Sequence, residues 1–262
     1  LGWIRNNRDG PFFVYVPFHI PHAAIQVPQD SLDEYDGAFD EDPPYSGDKG
    51  YLPHATPRAA YAAMITRMDR YIGNLLNLVG ELGLEDNTIV VFTSEHGDMM
   101  GDHGMLEKRT MFEEATKVPL LVKVPWLSKT QRMIPGNISH IDLVPTLLDL
   151  IGQPIPPHLQ GRSRKKVLEG TSDLSQNDVF IEWNGYHPDV PDRFLGDPRI
   201  NRMLALPWRT VVTADRWKLS LCAGDQSELY DLNEDPYELT NLYNNPDQPD
   251  RIRDMAARLR TW

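Results

Sequence analysis

The residues best suited to chemistry lie in one stretch, Thr88 to Lys108, TIVVFTSEHGDMMGDHGMLEK. A carboxylate and an imidazole, Glu95 and His96, stand side by side where an apolar run ends. In open α/β sheets ligands bind just beyond the carboxyl ends of the strands, so a hard metal ion or an anionic substrate is expected there. Asp102, His103 and Lys108 follow within one loop, and Gly97, Gly101 and Gly104 allow the backbone to turn tightly. A lone Glu-His pair on a loop is usually solvated surface. A dense run of ionisable residues spaced by glycines after a buried strand points instead to a site. A second candidate is His22, which closes FFVYVPFHIPH after another apolar run. Its neighbour His19 reads as a packed histidine making one hydrogen bond, whereas His22 reads as functional.

Elements of an α/β fold must position these groups. Ile89 to Phe92 is β-branched and continuous, as in a strand buried on both faces of a parallel sheet. Phe12 to Phe18 and Val118 to Val124 read the same way. Residues 58 to 83 carry apolar side chains at Tyr61, Met64/Ile65, Met68, Ile72, Leu75/Leu76 and Val79, the 3.6 period of a helix, with Gly83 as its C-terminal cap. The methionines there read as core filler. RTMFEEATK suits a short helix, and IDLVPTLLDLIG a longer one with Ile141, Val144, Leu147, Leu148 and Ile151 on a shared face. Residues 27 to 57 show no clear periodicity. A loop that long is either a lid over a site or a surface excursion. The basic patch Arg162, Arg164, Lys165 and Lys166 reads as a solvated face.

The final third changes character. VFIEW (179–183), RTVVTA (209–214), WKLSLC (217–222) and ELYDL (228–232) alternate as short antiparallel strands, and roughly 247–260 reads as a last amphipathic helix with its arginines outward. The expected fold is therefore α/β. A mainly parallel sheet containing 12–18, 88–93 and 118–124 is flanked by helices, and a small C-terminal antiparallel sheet plus helix follows. The domain division is 1–175 and 176–262.

Bulk properties exclude some classes. The 262 residues carry 38 acids against 26 Lys+Arg, a formal charge of −12, which argues against nucleic acid as the main partner. A locally positive site for a small anion stays compatible with that balance. The single cysteine, Cys222, forbids an intrachain disulfide and leaves the compartment open. No run reaches the roughly 18 apolar residues of a membrane helix, and no signal peptide is visible at Leu1. The opening, LGWIRNNRDGPFFVYV, reads as a helix end, a turn and a core strand, so residues are expected upstream.

Several of these segments, taken in order, resemble the sulfatases of the alkaline phosphatase superfamily from their middle to their C-terminus. PFFVYVPFHIPH is similar to the strand leading to a catalytic Pro-His, and MDRYIGNLLNLVGELGLEDNTIVVFTSEHGD to the helix and metal-binding strand. GDHGMLEKRTMFEEATKVPLLVKVP is similar to the segment bearing the sulfate-binding lysine. HIDLVPTLLDLIG and WRTVVTADRWKLSLCAGDQSELYDLNEDPYELTNL match the later helix and the C-terminal subdomain. The alkaline-phosphatase-like fold is what this resemblance implies.

The resemblance implies a sulfuric ester hydrolase acting on a small-molecule or carbohydrate sulfate ester. Glu95 and His96 take the place of metal ligands for Ca2+, His22 that of a proton or hydrogen-bond donor to the leaving oxygen, and Lys108 that of the cation neutralising sulfate. His103 is expected nearby as a substrate-binding residue, with the whole set converging. The family's nucleophile is a formylglycine made in a C/S-x-P-S/A-R motif. Cys222, in LSLCAGDQ, does not match it, and the paired N-terminal aspartates of the metal site are also absent. The formylglycine and remaining ligands are thus expected upstream. The chain alone is expected to be inactive, to hold metal weakly or not at all, and to self-associate through a truncated sheet edge. Most of the family is periplasmic or secreted. One departure is Ser-Glu-His-Gly where the family has Ser-Asp-His-Gly, which lengthens the ligand by one methylene. Two alternatives stand beside this reading: a phosphodiester or phosphonate monoester hydrolase on the same scaffold, and a non-catalytic scaffold with a degenerate metal site.

Overall fold

A computed structural model describes residues 1–22, 24–41, 54–105, 108–185 and 205–262. The chain divides into two compact units, Leu1–Lys108 with Val118–Trp126, and Arg109–Lys117 with Leu127–Trp262.

The first unit is built on one long helix. It begins with α1 (Gly2–Asn7), and α2 (Gln29–Leu32) runs into a 3-10 turn at Asp33–Tyr35. Helix α3 (Pro57–Glu81) follows the expected boundaries closely. Proline opens it, where its missing N–H costs nothing. The next two N–H groups, of Arg58 and Ala59, donate to the two oxygens of the Glu41 carboxylate at 3.0 and 2.7 Å. A negative charge at a helix N-terminus meets both the unpaired donors and the positive end of the helix dipole. At the other end Gly83 adopts φ +67, and the Gly83 and Leu84 N–H groups return to Gly80 O and Val79 O. The N-terminal half of α3 buries Ala59, Ala60, Ala63 and Met64. Small side chains there let neighbouring backbone approach, and Met64 fills the gap. Ala60, Met64 and Ile25 form a core against which Ile20, Val27, Leu32, Tyr61 and Met100 pack. The polar face of α3 is tied down as well, with Arg70 Nη2 donating to both oxygens of Glu34 at 2.9 and 2.8 Å. Of the expected 27–57 loop, residues 29–35 are therefore helical turns docked on α3. The remainder that would form a lid, 42–53, lies outside the described residues.

Strands β1 (Val90–Thr93) and β2 (Leu120–Lys123) pair antiparallel, Val91 opposite Val122 and Phe92 opposite Leu121. This corrects the expected parallel arrangement of the local sheet. An apolar run encodes burial but not direction, and parallel neighbours need a crossover, usually a full helix. Between β1 and β2 the described residues offer only a 3-10 turn and the single-turn α4 (Glu113–Thr116). β1 is half-buried rather than covered on both faces. The third expected strand, 12–18, is corrected too: it pairs with no other described segment, and Phe13 and Tyr15 are 80% and 78% exposed. An apolar run asks for cover but does not carry the partner strand that gives it.

The second unit contains α4, α5 (Leu143–Leu150) and α6 (Lys165–Glu169). It also contains an antiparallel sheet in the order β3 (Val179–Trp183), β4 (Trp208–Val212), β5 (Trp217–Cys222), β6 (Glu228–Asp231), and a closing helix α7 (Pro249–Thr261). The sheet and last helix stand as expected from alternation. Register places Phe180, Val211, Leu219 and Leu229 in one row across all four strands, and Met255, Ile252 and Leu259 of α7 pack on that row. The adjacent row, Val179, Val212, Lys218 and Tyr230, points to the opposite face because side chains alternate along a strand.

Helix α5 corrects a third expectation. Ile141, Val144 and Ile151 are exposed, while Asp142, Pro145, Thr146 and Leu150 are buried. The cause is polar. Asp142 accepts from the Arg162 N–H at 2.8 Å and from Arg164 Nε at 2.8 Å, and the Arg164 N–H donates to Thr146 Oγ1 at 2.8 Å. A buried carboxylate must face its partners, so it outranks the apolar stripe in setting the helix rotation. Arg164, expected on a solvated face, is accordingly a mostly buried ion-pair partner.

Candidate active site

The site is assembled from two turns and a loop of the first unit. His22 sits at the end of a turn closed by its own N–H donating to His19 O at 3.0 Å. His19 is exposed rather than packed, with its ring 5.5 Å from that of His22. The core under α3 anchors this turn through Ile20. Met100, from the loop after β1, packs on the same core. One end of one helix therefore holds both the segment that carries His22 and the loop that carries Glu95 to His103.

That loop is tightly folded. Gly101, Met100 and His103 all have positive φ, at 99, 46 and 53°. Left-handed backbone at non-glycine residues is uncommon and persists only where surroundings enforce it. Here the Asp102 N–H donates to Met99 O at 2.7 Å, the Gly101 N–H to Met105 O at 2.9 Å, and the Met100 N–H to Asp98 Oδ1 at 3.0 Å. Met99 beneath them is fully buried. His103 thus lies in a closed 3-10 turn, Asp102–Gly104, and is half-buried.

Two pairs of side chains meet. Lys108 Nζ is 3.1 Å from His22 Nε2, across 86 positions of sequence. An ammonium has only donors, so the imidazole accepts through Nε2 and carries its proton on Nδ1. The second pair is local: His96 Nε2 lies 3.3 Å from Glu95 Oε1. His96 Nδ1 is 2.7 Å from Gly97 O, and a carbonyl can only accept, so Nδ1 carries hydrogen and Nε2 is the ring nitrogen that faces the carboxylate. Two acceptors facing each other call for positive charge between them, a proton or a metal ion. The fixed tautomer and the exposed Glu95 carboxylate (87%) fit two ligands on one side of a cation. Among the described residues, no group of three or more His, Cys, Asp or Glu side chains forms a fuller metal cluster.

The structure also brings in residues that the sequence did not single out. Tyr61, on the buried end of α3, has its hydroxyl pKa raised by burial and then by the charge of Asp98. Asp98 sits in the same motif as Glu95 and His96, and its position three residues on was the available signal.

Fold and site together define an α/β chain of the alkaline-phosphatase-like class, with a Lys–His pair and a Glu–His pair at strand and turn ends. The chain belongs to the sulfatase family. The sulfatase family model matches residues 1–153, and the model for the N-sulphoglucosamine sulphohydrolase C-terminal region matches 101–262. Arylsulfatase K of Xenopus laevis is 27% identical over 307 residues, covering 99% of this chain and 53% of that protein. The phosphonate monoester hydrolase of Agrobacterium radiobacter shares the fold, with a TM-score of 0.78 at 24% identity over 99% of this chain and 58% of that one. A protein solved in complex with its substrate, D-glucosamine-2-N,6-O-disulfate, aligns at 26% identity and a TM-score of 0.68 over 89% of this chain and 44% of its own. The chain spans about a third to a half of the length of the curated relatives it matches. No described helix is long and apolar enough to cross a membrane.

Proposed function

We propose that the whole protein hydrolyses sulfate esters, with His22, Lys108, Glu95 and His96 lining one site and His103 beside the substrate. The observation that carries this reading is the contact between Lys108 and His22, two residues remote in sequence and both expected to face the sulfate. Lys108 would hold a sulfate oxygen through a charge-assisted hydrogen bond and offset the negative charge that the reaction concentrates there. His22, whose Nε2 accepts from Lys108 and whose hydrogen is on Nδ1, would donate a hydrogen bond from Nδ1 to the departing ester oxygen, easing the build-up of charge on the leaving alcohol. Glu95 and His96 would hold a calcium ion, which when bound supplies further positive charge to the sulfate. Calcium takes about six to eight ligands, so others join these two. A formylglycine on another segment would supply the nucleophile. Residues 1–175 would belong to the catalytic α/β domain and 176–262 to a C-terminal subdomain. The substrate class is a sulfated sugar or other small sulfate ester, supported by the amino-sugar disulfate bound in one structural relative.

The test is an assay of the full-length protein on 4-nitrophenyl sulfate with calcium, run beside the matching phenylphosphonate monoester. Turnover of the sulfate that falls at least about a hundredfold in Lys108→Ala, the scale of losing one donor to a developing oxyanion, is the expected result. Preference for the phosphonate would move the chain to that reaction. Absence of both activities, with calcium still bound, would sink the hydrolase reading.

A further inference from the structure

A cavity in the second unit is lined wholly by residues of that unit. It lies between the turn that opens α5, the loop 160–164 and the start of β3, with a volume of about 240 Å³. Sites for drug-sized molecules run to roughly 300–1,000 Å³, so this one suits a ligand of a single ring. Its inner wall is rigid. Arg164 donates to Asp142 Oδ2 and to Asn177 Oδ1, each at 2.8 Å, and Asn177 Nδ2 donates to Asn137 O at 2.8 Å. A wall ordered before the ligand arrives spares the cost of ordering it on binding.

The charges along the cavity cancel, with one exception. Asp142 is paired with Arg164, and Asp178, just before β3, is paired with Arg258 at 2.8 Å. Arg162 is exposed, and among the described residues its guanidinium has no carboxylate partner. Only its backbone N–H serves Asp142. A chain of formal charge −12 thus keeps one uncompensated cation at this place. An aromatic surface stands in the same space. The Trp262 ring stacks on Phe180, with centroids 5.1 Å apart and planes 7° from parallel. Phe180 is itself packed on the row under α7, which steadies the indole, while Trp262 stays 52% exposed. The exposed amides of Gln160 and Gln176 complete the lining, each able to donate and to accept.

These groups complement a sugar. A pyranose offers an apolar C–H face to a flat aromatic ring, and its hydroxyls donate and accept around the edge. One spare guanidinium matches one negative charge, which a carboxylate or a sulfate ester carries. A phosphate monoester brings about −1.5 to −2 and would leave charge unmatched. We propose that this cavity binds a sugar ring bearing one anionic group, a carboxylate or a sulfate. Arg162 holds the anion, Trp262 lies against the ring and the two glutamines take hydroxyls. The proposal does not depend on the reaction proposed for Lys108 and His22.

Ligand-observed NMR titrations of the full-length protein test it. The probes are methyl glucuronide, methyl glucoside 6-sulfate, uncharged methyl glucoside and inorganic sulfate. At least one charged sugar should bind about tenfold or more tighter than methyl glucoside, the scale of a hydrogen bond to a charged group. The tighter of the two names the anion. Arg162→Gln should abolish the difference while leaving kcat/KM on 4-nitrophenyl sulfate, which has no sugar, unchanged. Trp262→Ala should weaken every sugar. Lys108→Ala should leave the affinity for the charged sugar as it was, which separates this cavity from the site of turnover. A thermal melt verifies that each variant is folded, and should Trp262→Ala not fold, the Arg162→Gln comparison decides alone. Inorganic sulfate binding as tightly as the charged sugars overturns the sugar assignment and leaves a bare anion site. Charged-sugar binding that is absent, or indifferent to Arg162→Gln, overturns the proposal as a whole.

Discussion

Glu95 is the residue at which the family pattern and this chain part. Glutamate reaches one methylene further than aspartate, yet its carboxylate still lies against His96 Nε2 at 3.3 Å. If the pair holds calcium, Glu95→Gln removes the charge while keeping the shape. Calcium binding by the full-length protein, followed by calorimetry, should weaken at least about tenfold, since a ligand charge sets affinity at such sites. Unchanged binding would exclude Glu95 as a ligand. Glu228 gives a second prediction, independent of catalysis. Burial, with the charge of Glu238, raises its pKa from 4.5 to about 7 against the opposing pull of Lys218. Between those values the folded chain holds a proton that the unfolded chain has released, so stability falls as pH rises through that window. Denaturant melts should show the decline, and Glu228→Gln should flatten it. A slope that survives the substitution would assign the effect elsewhere.

Among the elements, α5 depends on a contact that its apolar pattern does not announce. The Asp142–Arg164 ion pair is nearly buried on both sides, and Asp142 also caps the Arg162 N–H. Removing one partner of a buried pair costs about 3–5 kcal/mol, so Asp142→Ala should lower unfolding free energy by about that amount in denaturant titrations. A loss below about 1 kcal/mol, the range of a surface ion pair, would mean that solvent reaches the pair. Gly161 guards the same junction: a side-chain carbon there would lie 1.8 Å from Ile141 O. The backbone passes too close for any residue but glycine, and Gly161→Ala should displace α5 from its loop with a comparable loss of stability.

At the scale of the whole molecule, the consequential feature is the uncovered apolar run at 12–16. Phe13 and Tyr15 stand almost fully exposed, with Val14 and Val16 beside them. An exposed, unpaired, strand-forming segment is a template for pairing with another chain. The 262-residue chain purified by itself should therefore sediment as dimers or larger species. Phe13→Ser with Tyr15→Ser should shift it toward monomer. A parent chain that stays monomeric at high concentration would show that the run is covered in solution by other means.

Sequence alone determined the elements whose signals are local. The 3.6 period, an opening proline and a closing glycine set α3 almost to the residue. Strict alternation set β4 to β6, and the amphipathic pattern set α7. It also singled out the residues of the proposed site, because Glu95, His96, His103, Lys108 and His22 follow runs that end in turns. Tertiary structure decided what depends on partners remote in the chain. It set the antiparallel sense of β1 and β2 and the rotation of α5 around a buried aspartate. It left 12–18 unpaired and brought Lys108 onto His22. The physical reason is the same in each case: hydrophobic periodicity reports which face seeks burial, whereas direction, partner and the satisfaction of buried charge are settled only when distant segments meet.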